Sequence, residues 1–172
     1  MNKALFLDRD GVVNIDTGHL YKIEDFKFIK GVPGLIKKYN NAGYKVIIVT
    51  NQSGIAKKYY IEKDMHRLHA HISKKLAENG AHIDALYFCP HHPDFTEACE
   101  CRKPKPGMIL QAARDLNIDL LGSIMVGDKE SDILAGLSAG IGRLVLVRSG
   151  HPIDEENTRA TEIIDGLWDL EV

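Results

Sequence analysis

Near its start the chain carries Leu5-Phe6-Leu7-Asp8-Arg9-Asp10-Gly11, an apolar run that ends abruptly on two carboxylates. Such a run predicts a buried strand, and the two-residue spacing puts Asp8 and Asp10 on the same side of the chain. Open α/β sheets bind ligands at this end of a strand. Two carboxylates this close repel each other, so either a cation lies between them or one stays protonated. The stretch predicts a reaction centre, with an ordinary Asp-Gly turn as the alternative.

The composition favours one self-sufficient globular domain. A chain of 172 residues fits a single domain, residues 1–172, that buries roughly 70% of its unfolded surface. The net charge of −2 argues against nucleic acid and membrane surfaces as partners, since both require a basic face. The sequence contains neither a long apolar segment nor the apolar core of a signal peptide. We therefore expect a cytoplasmic monomer.

Short apolar runs alternate with helix-sized segments along the chain. The runs predict parallel strands at Ala4 to Leu7, Lys45 to Val49, Ala85 to Phe88, Ile124 to Val126 and Leu144 to Val147. Helices are predicted at residues 32–41, 61–79, 106–116 and 130–139, with a short final helix or edge strand after His151. This alternation implies right-handed crossovers and a doubly wound, Rossmann-like parallel sheet of the α/β class.

Chemically related residues follow the predicted strands. Thr50 to Gly54 follows the second strand, Arg102-Lys103 precedes the third helix, and Gly127-Asp128 follows the fourth strand. A hydroxyl and backbone N–H groups at a helix start can hold a phosphate, to which arginine and lysine add positive charge. Asp128 supplies a third carboxylate, and such a set suits Mg²⁺. Each motif alone could be an ordinary turn or a solvated ion pair, but together they predict one site.

Taken in order, these motifs resemble the haloacid dehalogenase superfamily of phosphatases over essentially the whole chain. The resemblance rests on the Asp8 to Gly11 stretch, the Thr50 and Lys103 positions, and Gly127-Asp128 with Asp132. It implies the superfamily fold without a cap domain, because one helix, one strand and a cysteine loop occupy the residues between Thr50 and Lys103.

The resemblance also implies a role for each motif residue. Asp8 would be the nucleophile that forms an aspartyl-phosphate, and Asp10 the general acid and base. A catalytic Mg²⁺ would be held by the Asp8 carboxylate, the Asp10 main-chain carbonyl and Asp128. Thr50 and Lys103 would hold the phosphoryl group, and Arg102 would join Mg²⁺ and Lys103 in neutralising its charge.

All three cysteines lie in one short window, residues 89–101. The pattern Cys89-x-His91 followed by Cys99-x-Cys101 supplies three thiolates and one imidazole, a closed tetrahedral set typical of structural Zn²⁺. The spacing favours His91 as the fourth ligand, with His92 as a weaker candidate. Free thiols are the remaining alternative.

The cysteine loop narrows the resemblance to superfamily phosphatases that remove the C7 phosphate from D-glycero-D-manno-heptose 1,7-bisphosphate in lipopolysaccharide core synthesis. Histidinol-phosphate phosphatases are the alternative, but they typically have Asp where this chain has Ser53 and Arg where it has Lys129. A non-catalytic, zinc-stabilised binding protein is the second alternative. The resemblance implies sugar bisphosphate contacts at Asp8, Asp10, Asp16, Thr17, Gly18, His19, Thr50, Asn51, Gln52, Ser53, Arg102, Lys103 and Lys129.

Three further histidines, His66, His69 and His71, lie on the predicted helix of residues 61–79. His66 and His69 are close enough along a helix to share a metal. We expect instead that all three belong to a solvated polar face.

Overall fold

A single parallel sheet of six strands organises the molecule, and a computed structural model describes all 172 residues. The strands are β1 (Ala4–Leu7), β2 (Lys45–Asn51), β3 (Ala85–Cys89), β4 (Ile124–Gly127), β5 (Arg143–Val147) and β6 (Glu162–Ile164). Their spatial order is β3-β2-β1-β4-β5-β6, and every neighbouring pair is parallel. The predicted α/β class is confirmed, and the tail contributes the edge strand β6.

Four α-helices cover the two faces of this sheet. They are α1 (Val32–Asn41), α2 (Glu62–Glu78), α3 (Gly107–Leu116) and α4 (Glu130–Ala139), with short 3-10 turns at Ile23–Asp25 and Leu167–Asp169. Helix α4 ends at Gly140, whose φ of 88° lies in the left-handed region that glycine adopts without strain. None of the helices has the length and apolarity needed to span a bilayer.

The hydrophobic core consists of two layers, one on each side of the sheet, because successive side chains of a strand point to opposite sides. Leu5 and Leu7 point to the side that contains the apolar faces of α1 and α2. Ala4 and Phe6 point to the opposite side, where they pack with residues of α3 and α4. Successive side chains of a strand face opposite sides of a sheet, and both sides are buried here, which explains the continuous apolar run of β1.

The direction of winding changes between β1 and β4. The chain proceeds from β1 outward to β2 and β3, then returns to place β4, β5 and β6 on the other side of β1. In open α/β sheets such a switch point leaves a crevice at the carboxyl ends of the two central strands. Apart from loops, only α2 intervenes between β2 and β3, and only residues 90–106 between β3 and α3. No further domain covers this crevice.

Ser123 provides a test of the sheet's anchoring. Its buried hydroxyl accepts the Ala4 N–H at 2.9 Å and donates to the Asp119 carbonyl at 2.5 Å. Ser123→Ala leaves a buried N–H group unpaired, so we expect a loss of about 1–3 kcal/mol in the free energy of unfolding, measured by urea denaturation. Ser138→Ala, on an exposed part of α4, is the control. Equal losses in the two variants would contradict the prediction.

Candidate active site

Three buried carboxylates meet where β1 and β4 end. Asp8 follows β1, Asp128 follows β4, and Asp132 lies in the first turn of α4. Carboxylate oxygens of the three residues lie within 4.8 Å of one another. Asp132 Oδ2 accepts the backbone N–H groups of Asp128 and Lys129, at 3.2 and 3.1 Å. The start of α4 therefore fixes the end of β4 against the cluster.

Lys103 brings a positive charge into this cluster. Its Nζ lies 2.8 Å from Asp8 Oδ1 and 2.6 Å from Asp132 Oδ1, and it donates to the Val49 carbonyl at 2.8 Å. Burial lowers the pKa of Lys103, but Asp132 and Asp8 raise it by more, so the ammonium stays charged. Burial and the Asp132 charge raise the pKa of Asp8 to about 6, although Lys103 acts in the opposite direction.

Asp10 has a separate set of partners. Its Oδ1 accepts Arg9 Nε at 3.2 Å, Arg9 Nη2 at 2.8 Å and Asn14 Nδ2 at 3.1 Å, whereas Oδ2 accepts only Gln52 Nε2, at 3.3 Å. Burial raises the pKa of Asp10, but the Arg9 guanidinium and these hydrogen bonds lower it by more, to below its usual value. The repulsion between Asp8 and Asp10 is thus relieved by a different cation at each carboxylate.

Several oxygen atoms at the site are left with free lone pairs. Asp128 Oδ1 is buried without a hydrogen-bond partner, while its Oδ2 accepts both the backbone N–H and Nδ1 of His151. Asp8 Oδ2 and the Asp10 main-chain carbonyl accept no hydrogen bond from the protein. Both oxygens of Asp132 are engaged. The free donors are carboxylate and carbonyl oxygens, which fit Mg²⁺.

A polar cavity of about 630 Å³ opens over the carboxylates. This volume lies in the range typical of small-molecule sites. Most residues predicted to bind substrate line it, namely Asp8, Asp10, Asp16, Gly18, His19, Asn51, Gln52, Ser53, Arg102, Lys103 and Lys129. The structure therefore brings together residues from four separate segments of the sequence.

Two of the predicted substrate residues do not line the cavity. Thr17 is exposed and borders a neighbouring surface groove with Leu20 and Lys22. Thr50 is wholly buried next to Asn51 and Gln52, which do line the cavity, and its Oγ1 accepts Gln52 Nε2 at 2.8 Å. The Thr50 hydroxyl proton has no acceptor within the protein.

The cavity also contains residues that the sequence did not single out as substrate contacts, namely Lys57, Tyr60, His92, Pro104, Ser131, Asp132 and His151. His151 Nε2 lies 3.1 Å from Asp16 Oδ2, and its Nδ1 contacts Asp128. Because His151 follows the end of β5, the rule that located the other strand-end residues could have found it. Tyr60 belongs to no such motif, and nothing in the sequence marks it.

The expectation of three solvated helix histidines is wrong for His69. Its side chain is buried, and Nε2 lies 3.1 Å from Nη1 of the wholly buried Arg9. Arginine only donates, so this imidazole nitrogen accepts, which requires neutral His69. Burial and the Arg9 charge lower the pKa of His69 to about 3. Helix periodicity missed this contact because it depends on the buried charge of Arg9, which follows β1 and is distant from α2 in sequence.

The cysteines form a cluster, as their spacing predicts. The sulfur atoms of Cys89, Cys99 and Cys101 lie within 4.8 Å of one another. Cys89 and Cys101 are at bonding distance, and Cys99 Sγ lies 3.6 Å from Cys89 Sγ. The His91 imidazole is not among these atoms, so the assignment of His91 as a fourth ligand stays a prediction. The adjoining backbone is instead held by a bond from Arg102 Nη1 to the His91 carbonyl, at 3.2 Å.

Comparison with known proteins gives consistent results along the chain. A family model described as HAD-hydrolase-like matches residues 100–170. A D-glycero-beta-D-manno-heptose-1,7-bisphosphate 7-phosphatase of Yersinia pestis is 47% identical over 97% of this chain and 92% of its own length. The proteins of the same name from Haemophilus influenzae and Escherichia coli K12 are 45% and 42% identical, over 99% and 97% of this chain and 95% and 91% of their own.

A solved structure shares the fold as well. The D,D-heptose 1,7-bisphosphate phosphatase from B. bronchiseptica, complexed with magnesium and phosphate, superposes with a TM-score of 0.84 at 33% identity, covering 96% of this chain and 93% of that one. Sequence identity of this extent over nearly the full length of several relatives establishes the family of this chain. The chain belongs to the D-glycero-beta-D-manno-heptose-1,7-bisphosphate 7-phosphatase family of haloacid dehalogenase-like hydrolases.

Proposed function

We propose that this protein removes the C7 phosphate from D-glycero-D-manno-heptose 1,7-bisphosphate, in nucleotide-heptose synthesis for the lipopolysaccharide core. The observation that carries the proposal is the joint presence of full-length relatives with this name and a complete set of phosphatase groups around one cavity. None of the relatives compared above is named as a histidinol-phosphate phosphatase, which was the first alternative. The buried ionic cluster at Asp8 supports an enzyme over the second alternative, a non-catalytic binding protein.

In the first step, Asp8 Oδ2 attacks the phosphorus atom. A bond forms from this oxygen to phosphorus while the bond from phosphorus to the C7 oxygen breaks, which leaves an aspartyl-phosphate. Asp8 Oδ2 is free of hydrogen bonds, whereas Oδ1 is held by Lys103. The contact between Lys103 and Oδ1 therefore fixes the orientation of the carboxylate and, with it, the position of Oδ2.

Asp10 acts on the other side of the phosphorus atom. The negative charge of the bound phosphate favours the protonated form of Asp10. Its Oδ2 then donates that proton to the departing C7 oxygen, and later takes one from the water that attacks the aspartyl-phosphate. That attack releases inorganic phosphate and restores the Asp8 carboxylate. Oδ1 accepts three hydrogen bonds and Oδ2 only a long one, so Oδ2 is the oxygen better suited to proton transfer.

Positive charge must offset the repulsion between a carboxylate and a phosphate dianion. Lys103 supplies it from within the site, Arg102 from the cavity wall, and the Thr50 hydroxyl proton is available for a phosphoryl oxygen. Mg²⁺, held by the Asp8 carboxylate, the Asp10 carbonyl and Asp128, would neutralise further charge on the transferring group.

We assign the second phosphate of the substrate to Lys129 and Arg102. Both line the cavity, and they approach it from different loops. Lys129 is exposed and takes part in no ion pair within the protein, so its charge is available to an anion. The loop from Asp16 to His19, together with Asn51 to Ser53, would contact the sugar.

The proposal extends to the cysteine loop and the domain. We infer that residues 1–172 act as one phosphatase domain, in which residues 89–101 hold Zn²⁺ through Cys89, His91, Cys99 and Cys101. The close approach of three sulfur atoms supports the site, and His91 neighbours the cluster in sequence. A zinc loop would also position Arg102, which follows Cys101 directly. The cytoplasmic location and the monomeric state stay predictions.

Asp8→Asn tests the nucleophile. The amide preserves shape but cannot attack phosphorus, so we expect kcat to fall on the order of a thousandfold or more. Steady-state phosphate release measures the loss, and circular dichroism checks that the fold is kept. Asp25→Asn, at an exposed position, should retain wild-type turnover. Turnover near the wild-type rate in Asp8→Asn would overturn the assignment.

The two metals are separable by experiment. Chelation should stop catalysis, and added Mg²⁺ should restore it, while metal analysis should find about one zinc per chain. His91→Ala should lower the zinc content and the melting temperature, whereas His82→Ala, whose side chain is exposed, should change neither. Zinc-free, fully active protein in which thiol titration finds one free cysteine would instead establish a disulfide between two of the three cysteines.

Kinetics on two substrates test the substrate assignment. We expect heptose 1,7-bisphosphate to exceed histidinol phosphate by well over tenfold in kcat/KM, because the second phosphate gains a charged contact. Lys129→Ala should lower kcat/KM for the bisphosphate by about tenfold and leave a heptose 7-phosphate nearly unaffected.

Lys38→Ala, on the exposed side of α1, is the matched control and should alter neither substrate. Equal or better turnover of histidinol phosphate by the wild-type protein would reject the heptose assignment. It would leave the Asp8 and Asp10 roles intact.

A further inference from the structure

Tyr60 lies beside the active site without belonging to any of its motifs. It is only 5% exposed, and its ring stacks on Tyr21 with centroids 5.1 Å apart and planes 14° apart. Its hydroxyl donates to Gln52 Oε1. The ring also fills the space over Gly54, where a Cβ would collide with it. Tyr60 is therefore confined by Tyr21 and by the backbone at Gly54, with its hydroxyl directed at a single acceptor.

Gln52, the acceptor of the Tyr60 hydroxyl, itself donates hydrogen bonds to two residues of the site. Its side chain is buried, and Nε2 donates to Thr50 Oγ1 at 2.8 Å and to Asp10 Oδ2 at 3.3 Å. Before substrate binds, Asp10 is an ionised carboxylate that only accepts hydrogen bonds, so the NH₂ group of Gln52 must face Asp10. The amide oxygen then faces Tyr60, whose hydroxyl is its partner. The Gln52 amide is thus fixed from both ends.

This orientation decides what Thr50 can do. Because Thr50 Oγ1 accepts from Gln52, its own proton stays available for a phosphoryl oxygen. If the Gln52 amide turned over, its oxygen would accept that proton and would also repel Asp10 Oδ2. The direction of one side-chain amide therefore controls both the phosphate contact and the environment of the proton-transferring oxygen.

We propose that Tyr60 is a positioning residue of the phosphatase, which acts through Gln52 to keep the Thr50 hydroxyl and Asp10 Oδ2 ready for phosphoryl transfer. The inference rests on the proposed roles of Thr50 and Asp10. Tyr60 needs no contact with the substrate for this role, since its hydroxyl is already engaged by Gln52.

A double-mutant cycle tests this inference. Tyr60→Phe keeps the ring and its stacking but removes the hydroxyl, and Gln52→Met removes the amide at similar volume. Tyr60→Phe alone should lower kcat/KM for heptose 1,7-bisphosphate by about three- to tenfold, the loss expected for one hydrogen bond. In the Gln52→Met background, Tyr60→Phe should change kcat/KM by less than about twofold, because the amide through which the Tyr60 hydroxyl acts is already absent.

Tyr59→Phe is the matched control, since the Tyr59 side chain is exposed and its hydroxyl has no partner in the protein. It should retain wild-type kcat/KM. An unchanged kcat/KM in Tyr60→Phe, or an equal loss in the presence and absence of the Gln52 amide, would overturn the inference.

The cycle is also run with p-nitrophenyl phosphate. Inactivity of the wild-type protein on the heptose bisphosphate, with activity on the aryl ester, would reject the proposed substrate while the cycle still tests Tyr60. Coupling between Tyr60 and Gln52 on the aryl ester supports the inference, and additivity rejects it.

Discussion

The ammonium of Lys103 is the contact on which this site depends. It joins Asp8 to Asp132 inside the protein, where the two carboxylates would otherwise repel each other at close range. Removing one member of a buried ionic group leaves an uncompensated charge, which typically costs about 3–5 kcal/mol. The group that we propose to neutralise the incoming phosphate is therefore also a structural element, so under that proposal catalysis and stability are not independent at this position.

Other parts of the structure converge on the same lysine. The Lys103 backbone N–H donates to Asn51 Oδ1 at 3.1 Å, and Asn51 Nδ2 donates to the Lys103 carbonyl at 3.2 Å. These two hydrogen bonds join the segment that follows the cysteine loop to the end of β2. The ion pair between Lys103 and Asp132 joins the same segment to α4. Two loops and a helix that are distant in sequence thus meet around one charge. A buried charge with few alternative partners fixes such a junction more narrowly than apolar packing does.

The sequence predicted the strands and the strand-end motifs because each depends on local patterns. Buried parallel strands produce continuous apolar runs, and the end of a strand locates the residue that follows it, as for Asp8 and Asp128. The contacts of His69 and Tyr60 were not predictable, since each depends on a partner in another element. Spacing likewise predicted the cysteine cluster, but it does not determine whether the sulfur atoms bind a metal or each other. For the tail that contains β6, the sequence left open a short helix or an edge strand, because a strand of three residues shows little periodicity.

The open crevice above β1 and β4 has a consequence for how turnover is limited. Because no domain lies over the crevice, the fold contains no domain closure that would gate release of the sugar. Recognition must then rely on groups already in place before the ligand arrives, which favours fast association and weak retention. In the proposed mechanism, the same openness would give bulk water direct access to the aspartyl-phosphate on Asp8, which would favour its rapid hydrolysis.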